Sequence, residues 1–256
     1  SPDRDRIYVT APEGKALYVV DGRTRKVQRK LLLGEGPLGI AVNPRNGRVL
    51  VADWFAHKLF VVSADATKVL AEIPVGKSPS GVAVSPDGRI VLTTDRDDDQ
   101  VSIIDADRME RVAVVKVGAR PFGITIDADG RRAYTANVGS DDVSVIDLGA
   151  WKAAGKFKVG RRPYAVALAN GRAFVTDQYS ATVSVVELAT GKLLKAIDVG
   201  EHPEGIAVAG GGREVYVACW FENTLERIDT ATLEVTGKVK VGDGPRAFGL
   251  FIDEPR

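Results

Sequence analysis

Cysteine occurs once in the 256 residues, as Cys219, so the chain has no intramolecular disulfide and cannot build a cysteine zinc cluster. Histidine occurs twice, as His57 and His202. Charge of either sign is not in excess: 35 basic and 34 acidic residues leave a formal net charge of +1, which argues against nucleic acid or an anionic membrane surface as partner. The longest apolar runs are strand-sized, which excludes a spanning helix. No stretch of helical length carries a convincing 3.6-residue period. The sequence also lacks G-x-S-x-G, H-E-x-x-H and a phosphate-cradling glycine loop, so no catalytic residue, metal ligand or cofactor is assigned. It opens on Ser1 without an apolar leader, as expected of a processed or trimmed form.

What the chain does have is a repeat. A phrase of the type "VGxxPxGIAV" recurs, with its proline at Pro37, Pro79, Pro121, Pro163, Pro203 and Pro245, in steps of 42, 42, 42, 40 and 42 residues. The end of a second phrase, "VSVID", falls at Asp21, Ser63, Asp105, Asp147, Glu187 and Asp229 with the same steps. The short step is explained by "ALANGRAFVTD", which lacks two residues of "TIDADGRRAYTAN".

Each unit holds four short stretches rich in Val, Ile, Thr and Tyr, separated by Gly, Asp and Asn turn signals. Four antiparallel strands in about 42 residues match one blade of a propeller. Along the first strand small residues (Gly39, Ala41; Gly81, Ala83; Gly123, Thr125) alternate with branched ones (Ile40, Val42; Val82, Val84; Ile124, Ile126). The alternation puts the small side chains on one face, which suits the crowded axis of a ring, so this strand is placed innermost. The fold class expected is all-β: a six-bladed β-propeller of four-stranded antiparallel blades in a single domain, 1–256. Five blades span 37–75, 79–117, 121–159, 163–199 and 203–241. The sixth combines 1–33, which lacks a first strand, with 246–253, where "AFGLFI" supplies it and closes the ring without leaving an unpaired edge.

Second strands reading "IYVTA", "AYTAN" and "VYVAC", third strands reading "VSVID", and the "VGxxPxGIAV" opening together resemble the YVTN family of β-propeller repeats over essentially the whole chain. The resemblance implies a bacterial or archaeal protein, often exported, hence a periplasmic or extracellular location after removal of a signal peptide. It supplies no catalytic motif.

Function is therefore sought in the loops. In an antiparallel four-strand blade, the loop leading into the first strand and the loop between the second and third strands emerge on the same side, at one mouth of the channel. Trp54 with Phe55 and Trp220 with Phe221 occupy equivalent positions there in two blades and suggest a contact surface, unless they merely cap the blade ends. Tyr179 and His202 belong to the same set of loops. Arg120, Arg162 and Arg246 are read as lead-in-loop cations able to grip a carboxylate or phosphate, unless acids such as Asp95, Asp97 and Asp177 neutralise them. "DRDDD" begins like a calcium loop, but Gln100 stands where the turn glycine belongs and no closing Glu follows. The expected function is a non-catalytic binding or scaffolding module, probing a protein partner or a small anionic ligand with aromatic and basic loops, and monomeric. The alternative is a metal-dependent lactonase- or lyase-like enzyme with its site at the same mouth.

Overall fold

The computed structural model describes residues 1–246 and 251–252. Among the described residues twenty-three strands, numbered in chain order, form six antiparallel sheets. Blade one holds β1 (Arg6–Ala11), β2 (Ala16–Asp21) and β3 (Val27–Leu32), and blade two β4 (Pro37–Val42), β5 (Val49–Asp53), β6 (Lys58–Val62) and β7 (Val69–Pro74). Blade three holds β8 (Pro79–Val84), β9 (Ile90–Asp95), β10 (Gln100–Asp105) and β11 (Glu110–Lys116), and blade four β12 (Pro121–Ile126), β13 (Arg132–Asn137), β14 (Asp142–Asp147) and β15 (Lys152–Lys158). Blade five holds β16 (Pro163–Ala169), β17 (Arg172–Asp177), β18 (Thr182–Glu187) and β19 (Leu193–Asp198), and blade six β20 (Pro203–Ala209), β21 (Glu214–Cys219), β22 (Thr224–Asp229) and β23 (Glu234–Lys240). The molecule is a six-bladed β-propeller. Blade one has three strands among the described residues, and the closing strand expected from "AFGLFI" falls on residues 247–250, outside them. Among the described residues no helix is long and apolar enough to cross a membrane.

The alternation of small and branched residues has the expected physical reason. A Cβ placed on Gly39 would meet the carbonyl oxygen of Ser80 at 1.9 Å, one on Gly81 that of Phe122 at 2.3 Å, and one on Gly123 that of Tyr164 at 2.6 Å. In these three pairs the backbone of the next inner strand thus lies directly on the glycine, and only glycine permits that approach; blade five has Ala165 at the equivalent position. Farther out, side chains of neighbouring sheets interdigitate. The cluster of Tyr134, Ala136, Val143, Phe157, Val166, Val175 and Val186, for example, joins blades four and five.

Each complete blade buries a carboxylate close to its lead-in loop at one of three positions, and blade six buries Glu204 besides. In blades two, three and five it is the last residue of the second strand: Asp53, Asp95 and Asp177, all fully buried. Asp53 Oδ2 accepts the backbone N–H of Glu35 at 2.7 Å and of Gly36 at 2.9 Å. Asp177 Oδ2 accepts the hydroxyls of Ser184 at 2.7 Å and Thr182 at 3.0 Å. Blade four has Asn137 at this place and takes its carboxylate from Asp142, whose Oδ1 accepts Asn137 Nδ2 at 2.9 Å. Blade six has Cys219 there, and the carboxylate moves to the third strand, where Glu226 Oε1 accepts the Gly200 N–H at 3.1 Å. In blade four the loop N–H groups of Gly118 and Ala119 go instead to the hydroxyls of Ser144 and Ser140, and Ser140 in turn donates to Asp142 Oδ1.

Candidate functional site

Two local devices position the mouth side chains. First, the residue after each second strand donates its N–H to the carbonyl just before the phrase proline. These bonds are Trp54 to Gly36 (2.9 Å), Arg96 to Ser78 (3.3 Å), Val138 to Arg120 (3.0 Å), Gln178 to Arg162 (3.0 Å) and Trp220 to His202 (3.0 Å). They bring the two loop sets together on one side of the ring. Ser78, Arg120, Arg162 and His202 take left-handed conformations there, with φ of 51°, 54°, 56° and 53°. Second, the pairing register slips immediately after each proline, between Pro37 and Ile40, Pro79 and Val82, Pro121 and Ile124, Pro163 and Val166, and Pro203 and Ile206. A bulge re-aims the side chain it carries. The re-aimed residue is the one after the proline: Leu38, Ser80, Phe122, Tyr164 and Glu204.

The outcome is an aromatic and cationic arc. Phe122 packs against Tyr164 with centroids 4.2 Å apart, and Trp54 reaches Phe122 at 6.3 Å. Trp54 crosses the intervening blade three because that blade places only Ser80 at the bulge. On the far side, His202 lies 5.7 Å from Tyr179, 6.1 Å from Trp220 and 4.5 Å from Phe221, while Trp220 meets Phe221 edge-on at 4.8 Å. Three guanidinium groups sit over rings: Arg96 over Trp54 (5.4 Å), Arg162 over Tyr179 (4.5 Å) and Arg246 over Trp220 (4.3 Å).

Below them Glu204 is buried, at 1% exposed. Its Oε1 accepts Gln178 Nε2 at 2.6 Å, and its Oε2 lies 3.4 Å from Arg246 Nε. Burial raises the Glu204 carboxyl above its ordinary range, and Arg246, Gln178 and Arg162 pull it partway back. The Tyr164 phenol is pushed up to about 12 by burial and then by the charge of Glu204, against the three arginines Arg246, Arg162 and Arg96. One phenol thus feels all three stacked cations, Arg246 most strongly and Arg96 least.

No known family's sequence profile matches this chain, and no curated protein matches it by sequence. Solved structures do match in fold. One chain described as hydrazine synthase from Kuenenia stuttgartiensis superposes with a TM-score of 0.85 at 20% identity, covering 96% of this chain and 86% of that one. A functionally unknown protein from Desulfotomaculum acetoxidans DSM 771 superposes with a TM-score of 0.79 at 17% identity, covering 93% of this chain and 83% of that one. At such identities the likeness shows the propeller and nothing of the chemistry.

Of the residues singled out from sequence, the structure brings together Trp54, Arg162, Tyr179, His202, Trp220, Phe221 and Arg246. Phe55 stands over Gly36, where an added Cβ would meet its ring at 2.5 Å, and is 66% exposed on the rim. Arg120 lies farther out: it is exposed, with its backbone N–H on Asp99 Oδ1 at 2.7 Å. Arg96 takes the place expected for it. Arg246 is not a lead-in-loop residue like Arg162 but follows its proline, in the position of Tyr164 and Glu204. Asp95 and Asp177 neutralise no arginine, being held by buried hydroxyls; Asp97 does, accepting from Arg96 Nη1 at 2.5 Å.

Phe122, Tyr164, Gln178, Glu204 and Arg96 were missed. A signal for all five was available, since the slot after the proline reads Leu, Ser, Phe, Tyr, Glu, Arg in an otherwise fixed phrase, and Arg96 and Gln178 occupy the slot of the two tryptophans. The acids of "DRDDD" diverge: Asp97 accepts Ser78 Oγ, Asp98 the Lys77 N–H, and Asp99 the Arg120 N–H. Among the described residues no three His, Cys, Asp or Glu converge on a common point. His57 Nδ1 accepts the Ser78 N–H at 3.1 Å in blade two, remote in the ring from His202.

Proposed function

We propose that the propeller is a binding module whose mouth takes a small anionic ligand with a flat face. One observation carries this reading. Arg96 and Arg246 have acidic partners in Asp97 and Glu204, whereas Arg162 has none among the described residues and bonds the neutral Tyr179 hydroxyl at 2.7 Å. The arc therefore holds a cation in surplus, partly desolvated on aromatic faces, where a carboxylate or phosphate gains most from it. The metal-dependent enzyme alternative requires ligands that do not converge among the described residues.

The test uses the tryptophans themselves. Trp151 lies in the β14–β15 hairpin at the opposite end of its blade, so a W151F variant leaves only Trp54 and Trp220, both at the mouth. Titration with 4-nitrobenzoate is expected to quench their fluorescence saturably, 4-nitrobenzyl alcohol at least tenfold less tightly, and R162M to abolish the difference. Equal binding of acid and alcohol would remove the anion from the reading.

The exposure of Phe55, Phe221 and Tyr179, at 66%, 58% and 51%, supports a second reading in which the same rim docks a partner protein. The strand phrases further support placing the chain in the YVTN family, with a periplasmic or extracellular setting. Activity of alkaline phosphatase fused to the C-terminus of the full-length gene product would test that placement.

A further inference from the structure

The floor of the mouth has three buried polar atoms with no hydrogen-bond partner among the described residues: Gln178 Oε1, Arg162 Nε and Glu204 Oε2, the last facing Arg246 Nε as an ion pair at 3.4 Å. Glu204 is 1% and Gln178 6% exposed. They are one group, because Gln178 bonds Glu204 through its side chain and Arg162 through its backbone. The orientation of the Gln178 amide is fixed by chemistry: the Glu204 carboxylate can only accept, so the amide nitrogen faces it and the amide oxygen is left over. Orphaned buried polar atoms are uncommon and costly, and three together mark a place where something else supplies the partners.

Two of the three accept and one donates, which discriminates between ligand groups. A carboxylate would satisfy Arg162 Nε alone and would face the Glu204 carboxylate with like charge. An ammonium would satisfy the acceptors but cannot accept from Arg162, and it would sit among three guanidinium groups. Hydroxyls donate and accept together, and an adjacent pair supplies two donors and at least one acceptor. The walls add a further requirement: the rings of Phe122, Tyr164, Trp54 and Trp220 border the same mouth, the two tryptophans each with a guanidinium over the ring, and such an aromatic border suits a ligand ring carrying apolar C–H bonds. The surplus cation still asks for an anionic substituent.

Resting on the anion-binding reading above, we infer that the mouth recognises a carboxylated sugar, with neighbouring hydroxyls on Glu204, Gln178 and Arg162 and the carboxylate toward the stacked arginines. A site built to bond hydroxyls rejects analogues that lack them far more strongly than an apolar pocket does.

The experiment is calorimetric titration of the whole chain with four probes: glucuronate, glucose, cyclohexanecarboxylate and 4-carbamoylbenzoate. Glucuronate is expected to bind at least tenfold more tightly than each of the others, and Q178L and E204Q each to remove most of its preference over cyclohexanecarboxylate. Melting curves of both variants establish that they are folded. Cyclohexanecarboxylate binding as tightly as glucuronate would overturn the hydroxyl assignment and leave the anion reading standing. Glucose binding as tightly as glucuronate would overturn the carboxylate half and the anion reading with it. Preference for 4-carbamoylbenzoate would give the orphan atoms to an amide, and no binding by any probe would overturn both readings.

Discussion

Asp177 offers the sharpest test of how the blades are held. It is fully buried, and burial pushes its carboxyl up to about 6 from an ordinary 3.8, despite the hydroxyls of Ser184 and Thr182 on its Oδ2. Its other oxygen, Oδ1, has no hydrogen-bond partner among the described residues. The folded pKa lies above the unfolded one, so the fold disfavours the charged form. The penalty is therefore complete above pH 6 and lifts as the pH falls through 6 toward 3.8. At pH 5 the protonated form outweighs the charged one about tenfold in the fold, whereas at pH 7.5 it is negligible, so Asp177 contributes about 1.4 kcal/mol of added stability at the lower pH.

Blade four shows what a neutral residue does at this position, for Asn137 stands there and donates to Ser144 Oγ at 2.9 Å. Asp177→Asn is thus expected to keep the fold and remove this share of the pH dependence. Asp95, buried and raised in the same direction, leaves a slope of its own in both proteins, so the quantity that matters is the difference between wild type and variant. Urea denaturation at pH 7.5 and pH 5 should show the advantage of the variant shrinking by about 1.4 kcal/mol, or ~3–6 °C by thermal melting. A difference that stays constant across the two pH values would refute a charged, desolvated Asp177 at neutral pH.

The remaining predictions probe packing and the blade carboxylate. Gly81→Ala sets a methyl 2.3 Å from the Phe122 carbonyl and should cost more than about 3 kcal/mol or prevent folding, whereas Gly242→Ala meets nothing within 4 Å and should stay within about 0.5 kcal/mol in the same denaturation assay. Cys219, buried with its thiol pushed up to about 12 by burial and by Glu226, should resist dithionitrobenzoate at pH 8 until the chain is unfolded, when one thiol per chain reacts. Glu226→Ser should destabilise blade six by ~1–3 kcal/mol, because Gly200 and Lys238 lose their carboxylate. Adding Cys219→Asp moves the charge to the strand-two position used in blade five, so the double variant should recover most of the loss; a second variant that adds to the damage would refute the interchangeability of the two positions.

The architecture was legible because its cause is repeated. Gly39, Gly81 and Gly123 recur at one step because the same backbone contact recurs between blades two and three, three and four, and four and five, so packing wrote itself into the period. The candidate site was legible only in part. Trp54 and Trp220 stood out as large residues in turns, and Arg162, Tyr179 and His202 followed from loop topology. Glu204 and Tyr164 did not, since a charged or aromatic residue beside a strand proline reads as one more variable position until the bulge is seen to turn it toward the mouth. Arg96 was hidden by the acids that follow it, and Arg120 was favoured over it on loop placement alone.

The sequence by itself determined what is periodic: six units, four strands in each complete one, small residues on the axial face, and two loop sets on one side. Tertiary structure decided which side chains meet. Residues at the mouth come from different blades, tens of positions apart, and whether Trp54 reaches Phe122 depends on Ser80 leaving the gap between them. The pairing of Gln178 with Glu204, and the partnerless state of Arg162 Nε among the described residues, are likewise properties of distance in the ring. Local propensity specifies a strand or a turn one segment at a time, whereas a site made of single residues from many segments exists only once the ring brings them together.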